Sequence, residues 1–252
     1  MLAANSLTLA GRLADVSLVL APGQVTAICG PNGAGKSSLL ASIAGLMMPD
    51  AGSALLGDAP LAGIGPRERA RAIGYLPQSP EAAWDMAVEV LISLGRLPWQ
   101  GAPFHRAAAS AAQDHAAVEA ALAAMDLTAL RQRPLSRLSG GEAARAHLAR
   151  ILAGQPRWIL ADEPLANLDL AHAITLIARL KAEAAAGRGV VLVLHDLASA
   201  MNYADRVVVL HEGRVAADGA PAEALSSEVI ARCWGVQARW LGEAGARALV
   251  AG

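Results

Sequence analysis

The chain has 252 residues, a formal net charge of −1 at pH 7 and 54% hydrophobic residues, which suits one large domain or two small ones with a substantial core. Near-neutral charge and only 3% aromatics exclude a broad basic face or a base-stacking platform, so no nucleic-acid partner is expected. The start, Met1-Leu2-Ala3-Ala4-Asn5, lacks the basic region of a secretory signal, and the apolar run Val190-Val191-Leu192-Val193-Leu194 is far too short to span a bilayer. Cys29 and Cys233 have no metal-binding spacing and read as buried thiols of a reducing compartment.

In chain order, Leu7-Thr8-Leu9 and Val16–Leu20 alternate in part and predict short strands, with a turn at Pro22-Gly23. Val25–Cys29 predicts a buried strand and Leu39–Ala44 a helix. Pro49-Asp50-Ala51-Gly52 predicts a turn, Pro66 the start of a short basic helix, and Ile73–Gln78 a strand running into a loop. From Pro80 to about Ala153 the texture is helical, with helices expected over Met86–Leu94 and Ala107–Met125, parted at Leu97-Pro98-Trp99-Gln100-Gly101. Trp158–Asp162 and Val190–His195 predict buried strands on either side of a helix over Leu170–Ala186. Arg206–Gly219 predicts a hairpin turning at Glu212-Gly213. Alternating strands and helices argue for a mostly parallel α/β sheet.

The chemistry centres on Gly30-Pro31-Asn32-Gly33-Ala34-Gly35-Lys36-Ser37-Ser38, which matches G-x-x-x-x-G-K-[ST] at Gly30, Gly35, Lys36 and Ser37. A triphosphate is a dense cluster of anionic oxygens, and glycines let backbone amides approach it closely. Lys36 brings a cation to the outer phosphates, and Ser37 offers a hydroxyl to Mg²⁺. The strand before the loop and the helix after it supply the helix N-terminus that such an anion needs.

Further stretches bear on what happens to the nucleotide. The apolar strand ending in Asp162-Glu163 places Asp162 to hold Mg²⁺ and Glu163 to polarise an attacking water, where a bare acidic turn is the plainer alternative. Leu138-Ser139-Gly140-Gly141-Glu142 opens an Ala-rich helix; it is a capping box, an anion site, or both. His195 ends a buried strand, the place where ligands sit in parallel sheets, although a lone histidine is usually structural. Gln78, in a loop after Tyr75-Leu76-Pro77, could touch Mg²⁺ or the attacking water, or be an ordinary surface glutamine.

In this order the motifs resemble the ATP-binding subunit of ABC transporters over nearly the whole chain. They are the phosphate loop at Gly30 to Ser38, the glutamine loop at Gln78, the signature Leu138 to Glu142, Asp162-Glu163, the turn Asn167-Leu168-Asp169, and the switch His195. The resemblance implies an α/β fold: a P-loop NTPase core of ABC type with a mixed sheet, an N-terminal antiparallel β region and an inserted α-helical subdomain. The core would comprise residues 1–79 and 154–252, the helical subdomain residues 80–153.

It further implies ATP and Mg²⁺ as ligands and a homodimer of ATPase subunits facing head to tail. Each ATP would lie between the phosphate loop of one subunit and Ser139-Gly140-Gly141 of the other, with Asp169 connecting the two sites. Glu163 would be the general base, and His195 would hold the terminal phosphate and the water. Residues from Pro80 to about Pro134 would dock on transmembrane permease subunits, with Gln78 as hinge, at the cytoplasmic face of the inner membrane. A periplasmic substrate-binding protein would be an indirect partner.

Ser93-Leu94-Gly95-Arg96-Leu97-Pro98-Trp99 and the tail Cys233-Trp234-Gly235-Val236 are similar to importers of iron-siderophore, haem and cobalamin complexes. Two features depart from the family. No aromatic residue precedes Tyr75 to stack on adenine, which leaves apolar side chains near Leu9 to Leu13, or Arg12, for that task. After the signature, Ala144 stands where the family has Gln, while Arg145 is kept. A soluble ABC-type ATPase of repair or translation would bring a long coiled-coil insertion or tandem cassettes, and a phosphate-loop kinase would not need Ser139-Gly140-Gly141 or His195.

Overall fold

Val25–Cys29, Trp158–Asp162 and Gly189–Val193 are buried at every residue, as expected of strands covered on both faces. In the computed structural model, which describes residues 1–80, 84–100, 108–166 and 168–252, they form the middle of one sheet. In chain order, β1 (Leu2–Leu9), β2 (Leu13–Leu20) and β3 (Val25–Cys29) lead to α1 (Lys36–Ile43), β4 (Ala51–Leu56) and β5 (Ala59–Pro60). Then come α2 (Pro66–Ala72), β6 (Ile73–Leu76), α3 (Val88–Ser93), α4 (Ala108–Ala124) and α5 (Gly140–Ala153). The second half runs β7 (Trp158–Asp162), α6 (Leu170–Ala185), β8 (Gly189–Val193), α7 (Leu197–Tyr203), β9 (Arg206–His211) and β10 (Arg214–Gly219). It closes with α8 (Pro221–Ala224), α9 (Ser227–Trp234), β11 (Ala238–Leu241) and β12 (Ala248–Ala251).

The main sheet has six strands in the order β10-β9-β3-β8-β7-β6, parallel except for β10. A second, antiparallel sheet has the order β2-β1-β4-β5. One face of the main sheet packs against α1 and the antiparallel sheet through Leu2, Leu7, Leu39, Ile43 and Trp158. The other packs against α3, α4, α5 and α6 through Leu91, Ile92, Leu122, Leu148 and Leu180. Trp158 fills the space that a side chain at Gly189 would need, 2.1 Å from where its Cβ would stand.

Parallel register carries the fold toward function. Ile28 on β3 is level with Val193 on β8, and Val193 with Asp162 on β7. Leu76 on β6 is level with Ala161. The segments after these strands therefore leave the sheet along one edge, and they contain Gly30, His195, Glu163 and Gln78.

Several boundaries differ from the sequence expectation. β1 and β2 are longer than the short strands predicted, because Ser6 (φ 48°) and Asp15 (φ 57°) sit where the register slips and the alternation breaks. β4 begins inside the stretch expected to be only a turn. The helix expected from Met86 starts at Val88, since the Met86 carbonyl accepts from Leu135 and Ala87 bridges to Pro134. After Ser93 it tightens into a 3₁₀ stretch, Leu94–Trp99, that contains Pro98. The hairpin forms as expected, with positive φ at both Glu212 and Gly213. Both cysteines are free and buried. Gly101, Ala107 and Asn167, named in the sequence reading, lie outside the described residues.

The Leu-Gly-Arg-Leu-Pro-Trp stretch caps the C-terminal end of α5. A Cβ on Gly95 would stand 2.0 Å from the Arg150 carbonyl oxygen, so only glycine lets the two backbones meet. Arg96 pairs with Asp114 at 2.8 Å and donates to the Ala153 carbonyl at 2.9 Å. The indole of Trp99 donates to the Gly154 carbonyl at 2.9 Å, and the guanidinium groups of Arg71 and Arg96 stand 4.9 and 5.0 Å from its ring centre.

Candidate active site

The loop after β3 owes its shape to backbone contacts. Gly30 has φ 151°, and a Cβ there would lie 2.1 Å from the Leu210 carbonyl oxygen. Gly35 has φ 95°, and its Cβ would lie 2.4 Å from the Arg12 carbonyl oxygen. β9 and the β1–β2 turn thus press on the loop so closely that a side chain at either position has no room. Gly35 is also the N-cap of α1 and makes no side-chain cap hydrogen bond. The first amides of α1 are thereby left to the loop's concave side, the arrangement that binds anions.

Lys36 is buried, and its Nζ donates to the carbonyls of Gly30 (2.8 Å) and Pro31 (2.9 Å). Burial pushes its pKa down, against the pull of Glu163 and Asp162. Asp162 is buried at the end of β7, and burial pushes its carboxyl up while a Ser37 hydrogen bond pulls it down. Its Oδ1 has no hydrogen-bond partner among the described residues. An orphaned carboxylate oxygen beside a hydroxyl and at the foot of the loop fits a hard, oxygen-seeking cation.

One residue on, Glu163 has φ 52°, a left-handed turn that swings its side chain out over the loop. Both carboxylate oxygens are engaged. Oε1 lies 2.5 Å from His195 Nε2, and Oε2 accepts from Gln78 Nε2 at 2.8 Å. A carboxylate only accepts, so the geometry assigns the donor role in this contact to His195 Nε2. Asp196, the N-cap of α7, accepts from the amides of Ala198 and Ser199 and fixes the turn that carries His195.

Gln78, Glu163 and His195 thus meet at the mouth of a cleft of about 540 Å³. It is lined as well by Gly11, Arg12, Asn32, Lys36, Ser37 and Ser38. Arg12 closes the other end, its Nη1 3.5 Å from Ser38 Oγ.

The signature turn does not line this cleft. Ser139 caps α5, with its Oγ accepting from the Glu142 amide at 3.3 Å, and Glu142 accepts from the Ser139 amide at 2.8 Å. The capping box is real, and it leaves the amides of Gly140 and Gly141 unused by the cap. Arg145 donates to the carbonyls of Met125 and Asp126, fastening α5 to the end of α4. Asp169 caps α6 and accepts from the His172 amide at 2.9 Å.

The sequence reading missed two histidines. His147 on α5 is buried with its Nδ1 unpartnered among the described residues, and burial holds its pKa down to about 4. His172 lies one turn into α6, three residues after an aspartate at a helix start; that spacing is the signal that could have found it.

Comparison with known proteins agrees with this geometry. The family model described as ABC transporter matches residues 13–166, more than half of the chain. The chain belongs to the ABC transporter family. It binds and hydrolyses ATP, and its α/β fold is that of the ABC ATPases. It is 42% identical over 232 residues to the hemin import ATP-binding protein HmuV of Rhodococcus jostii, covering 91% of this chain and 77% of the relative. It is 39% identical over 250 residues to HmuV of Bordetella pertussis, covering 94% of this chain and 93% of the relative. Among solved structures, an ATP-binding subunit of an ABC transporter superposes with a TM-score of 0.77 at 27% identity, covering 94% of both chains. A dimeric ATP-binding cassette bound to ADP and Pi superposes at 0.76 with 24% identity, over 88% of this chain and 99% of the other, and speaks for the fold alone.

Proposed function

We propose that this chain is the ATP-hydrolysing subunit of a hemin importer, working as a head-to-tail pair beneath a membrane permease. The observation that carries the catalytic part is the Gln78–Glu163–His195 cluster facing Lys36 and Ser37 across one cleft. The relatives' name, over nearly the full chain, supports hemin within the wider metal-chelate class.

In this reading the loop amides and Lys36 hold the β- and γ-phosphates. Mg²⁺, held by Ser37, Asp162 and Gln78, would neutralise charge on the phosphate oxygens. Glu163 takes the proton of the attacking water, and its bonds to Gln78 and His195 fix the orientation of its carboxylate. His195, beside Glu163, would hold the terminal phosphate and the water, while Arg12 would stack on the base by a cation–π contact. Ser139, Gly140 and Gly141 close over the phosphates held by the second copy, and Asp169 links the two sites. Residues from Pro80 to about Pro134 meet the permease at the cytoplasmic face of the membrane, and exposed Trp84, Val90 and Leu97 support that docking. A periplasmic binding protein delivers the substrate.

The test is ATP-driven hemin uptake into proteoliposomes that hold the cognate permease and this subunit. Uptake is expected with the native chain and lost with Glu163→Gln. Uptake of an iron-siderophore or cobalamin in place of hemin would move the substrate class and leave the ATPase reading intact. Arg12→Ala should weaken ATP binding about 5- to 30-fold.

A further inference from the structure

Asp169 does more than cap a helix. Its Oδ1 and Oδ2 lie 2.7 and 2.8 Å from Nδ1 of His172, in addition to the backbone bond from the His172 amide. Held at both its backbone and its ring, the imidazole is pinned against the start of α5. A Cβ on Gly141 would stand 2.7 Å from the ring Cγ, 2.9 Å from Cδ2 and 3.0 Å from Nδ1. Gly141 has no positive φ to explain it, as Gly30 and Gly35 do. A side chain there would displace the ring that lies on it. One imidazole therefore joins the signature turn to the aspartate at the head of α6.

We propose that His172 is a positioning residue: it clamps Gly141 to Asp169, so that the two segments this chain contributes to the second copy's nucleotide move as one body. The inference rests on the shared-site reading given above. That reading makes Ser139-Gly140-Gly141 and Asp169 act together on one neighbour, and the clamp supplies the mechanical reason they arrive together. A ring that merely strengthened the α6 cap would have no stake in the residue at position 141.

The experiment uses the full chain in the Glu163→Gln background, with ATP-dependent dimerisation followed by sedimentation and single-chain nucleotide binding by a fluorescent ATP analogue. His172→Ala should leave analogue binding to the monomer unchanged and weaken the dimer about tenfold. Tenfold is 1.4 kcal/mol, the size of one good hydrogen-bonded contact. His172→Asn retains a donor toward Asp169 and lacks the ring. It should keep the melting temperature while losing dimer affinity as His172→Ala does.

Gly141→Ala should weaken the dimer more than His172→Ala does, and adding His172→Ala to it should recover affinity to the level of His172→Ala alone. Additive effects at positions 141 and 172, or a His172→Ala chain that dimerises like its parent, would overturn the clamp. If the Glu163→Gln parent itself stays monomeric with ATP, the shared-site reading fails and the proposal fails with it. A non-additive melting cycle between the same two positions would then leave only an intramolecular contact.

Discussion

The phosphate loop and the turn before α5 are both glycine-rich openings of a helix, and they are finished in opposite ways. At the phosphate loop, φ is positive at Gly30, Gly33 and Gly35, neighbouring backbones hold the curve, and the first amides of α1 have no side-chain cap. At the signature turn the glycines are part of the helix, and Ser139 and Glu142 cap it from within. The first needs the rest of its own chain in order to exist. The second is locally complete and stands on the surface; Gly140 borders a neighbouring pocket with Gln78 and Glu163, not the cleft that holds Lys36 and Ser37. An uncapped helix start inside the fold is a site for a small anion; a self-capped one outside it suits a surface that another body must meet.

The sharpest way to break this contrast is Gly30→Ala. The new methyl collides with the Leu210 carbonyl and the strained backbone adds about 1–3 kcal/mol, so nucleotide binding should disappear and the melting temperature should fall. A Gly30→Ala chain that binds ATP normally would mean the loop is not held by its neighbours. Next in size is Glu163→Gln, for which turnover should fall about 10²- to 10⁴-fold with ATP affinity kept within about twofold, measured by phosphate release and analogue binding. Near-normal turnover would remove Glu163 from the base role.

Ser139→Ala is the counterpart at the other turn. It should cost about 1 kcal/mol of cap, seen as a melting point lower by about 2–4 °C, with nucleotide binding to the single chain unchanged. A loss of monomer binding would put the signature inside its own chain's site after all.

A pH-dependent effect concerns how firmly α5 is seated. His147, held down to about 4 in the fold from its ordinary 6.5 by burial, takes a proton in the unfolded chain long before it does in the folded one. Its contribution to stability is whole above pH 6.5 and is lost as pH falls toward about 4. His147→Leu should flatten that slope, read from urea midpoints at about pH 7 and 5.

Much of the cleft and of the signature turn was legible because their parts are local. Gly30 to Ser38, Asp162-Glu163 and the Ser139–Glu142 box each carry their reason within a few residues. Long-range pairing was not legible in the same way. The bulges at Ser6 and Asp15 hid residues 2–6 of β1 and 13–15 of β2, since a single extra residue inverts the inside–outside pattern. Met86 reads as helix and spends its carbonyl on Leu135, far along the chain. Leu-Gly-Arg-Leu-Pro-Trp looked like a family mark, and its physical task, capping α5, needed the spatial neighbour Gly154 to become visible.

Composition and motif spacing by themselves determined a chain with a nucleotide loop, an acid pair and a self-capped turn, because hydrogen-bonding needs and backbone freedom are set by adjacent residues. Only the tertiary structure decided that Gln78, Glu163 and His195 share one carboxylate, and that Gly141 is bare to admit the ring of His172. Those contacts depend on parallel register and on helices docking across the sheet, distances that no run of neighbouring residues encodes.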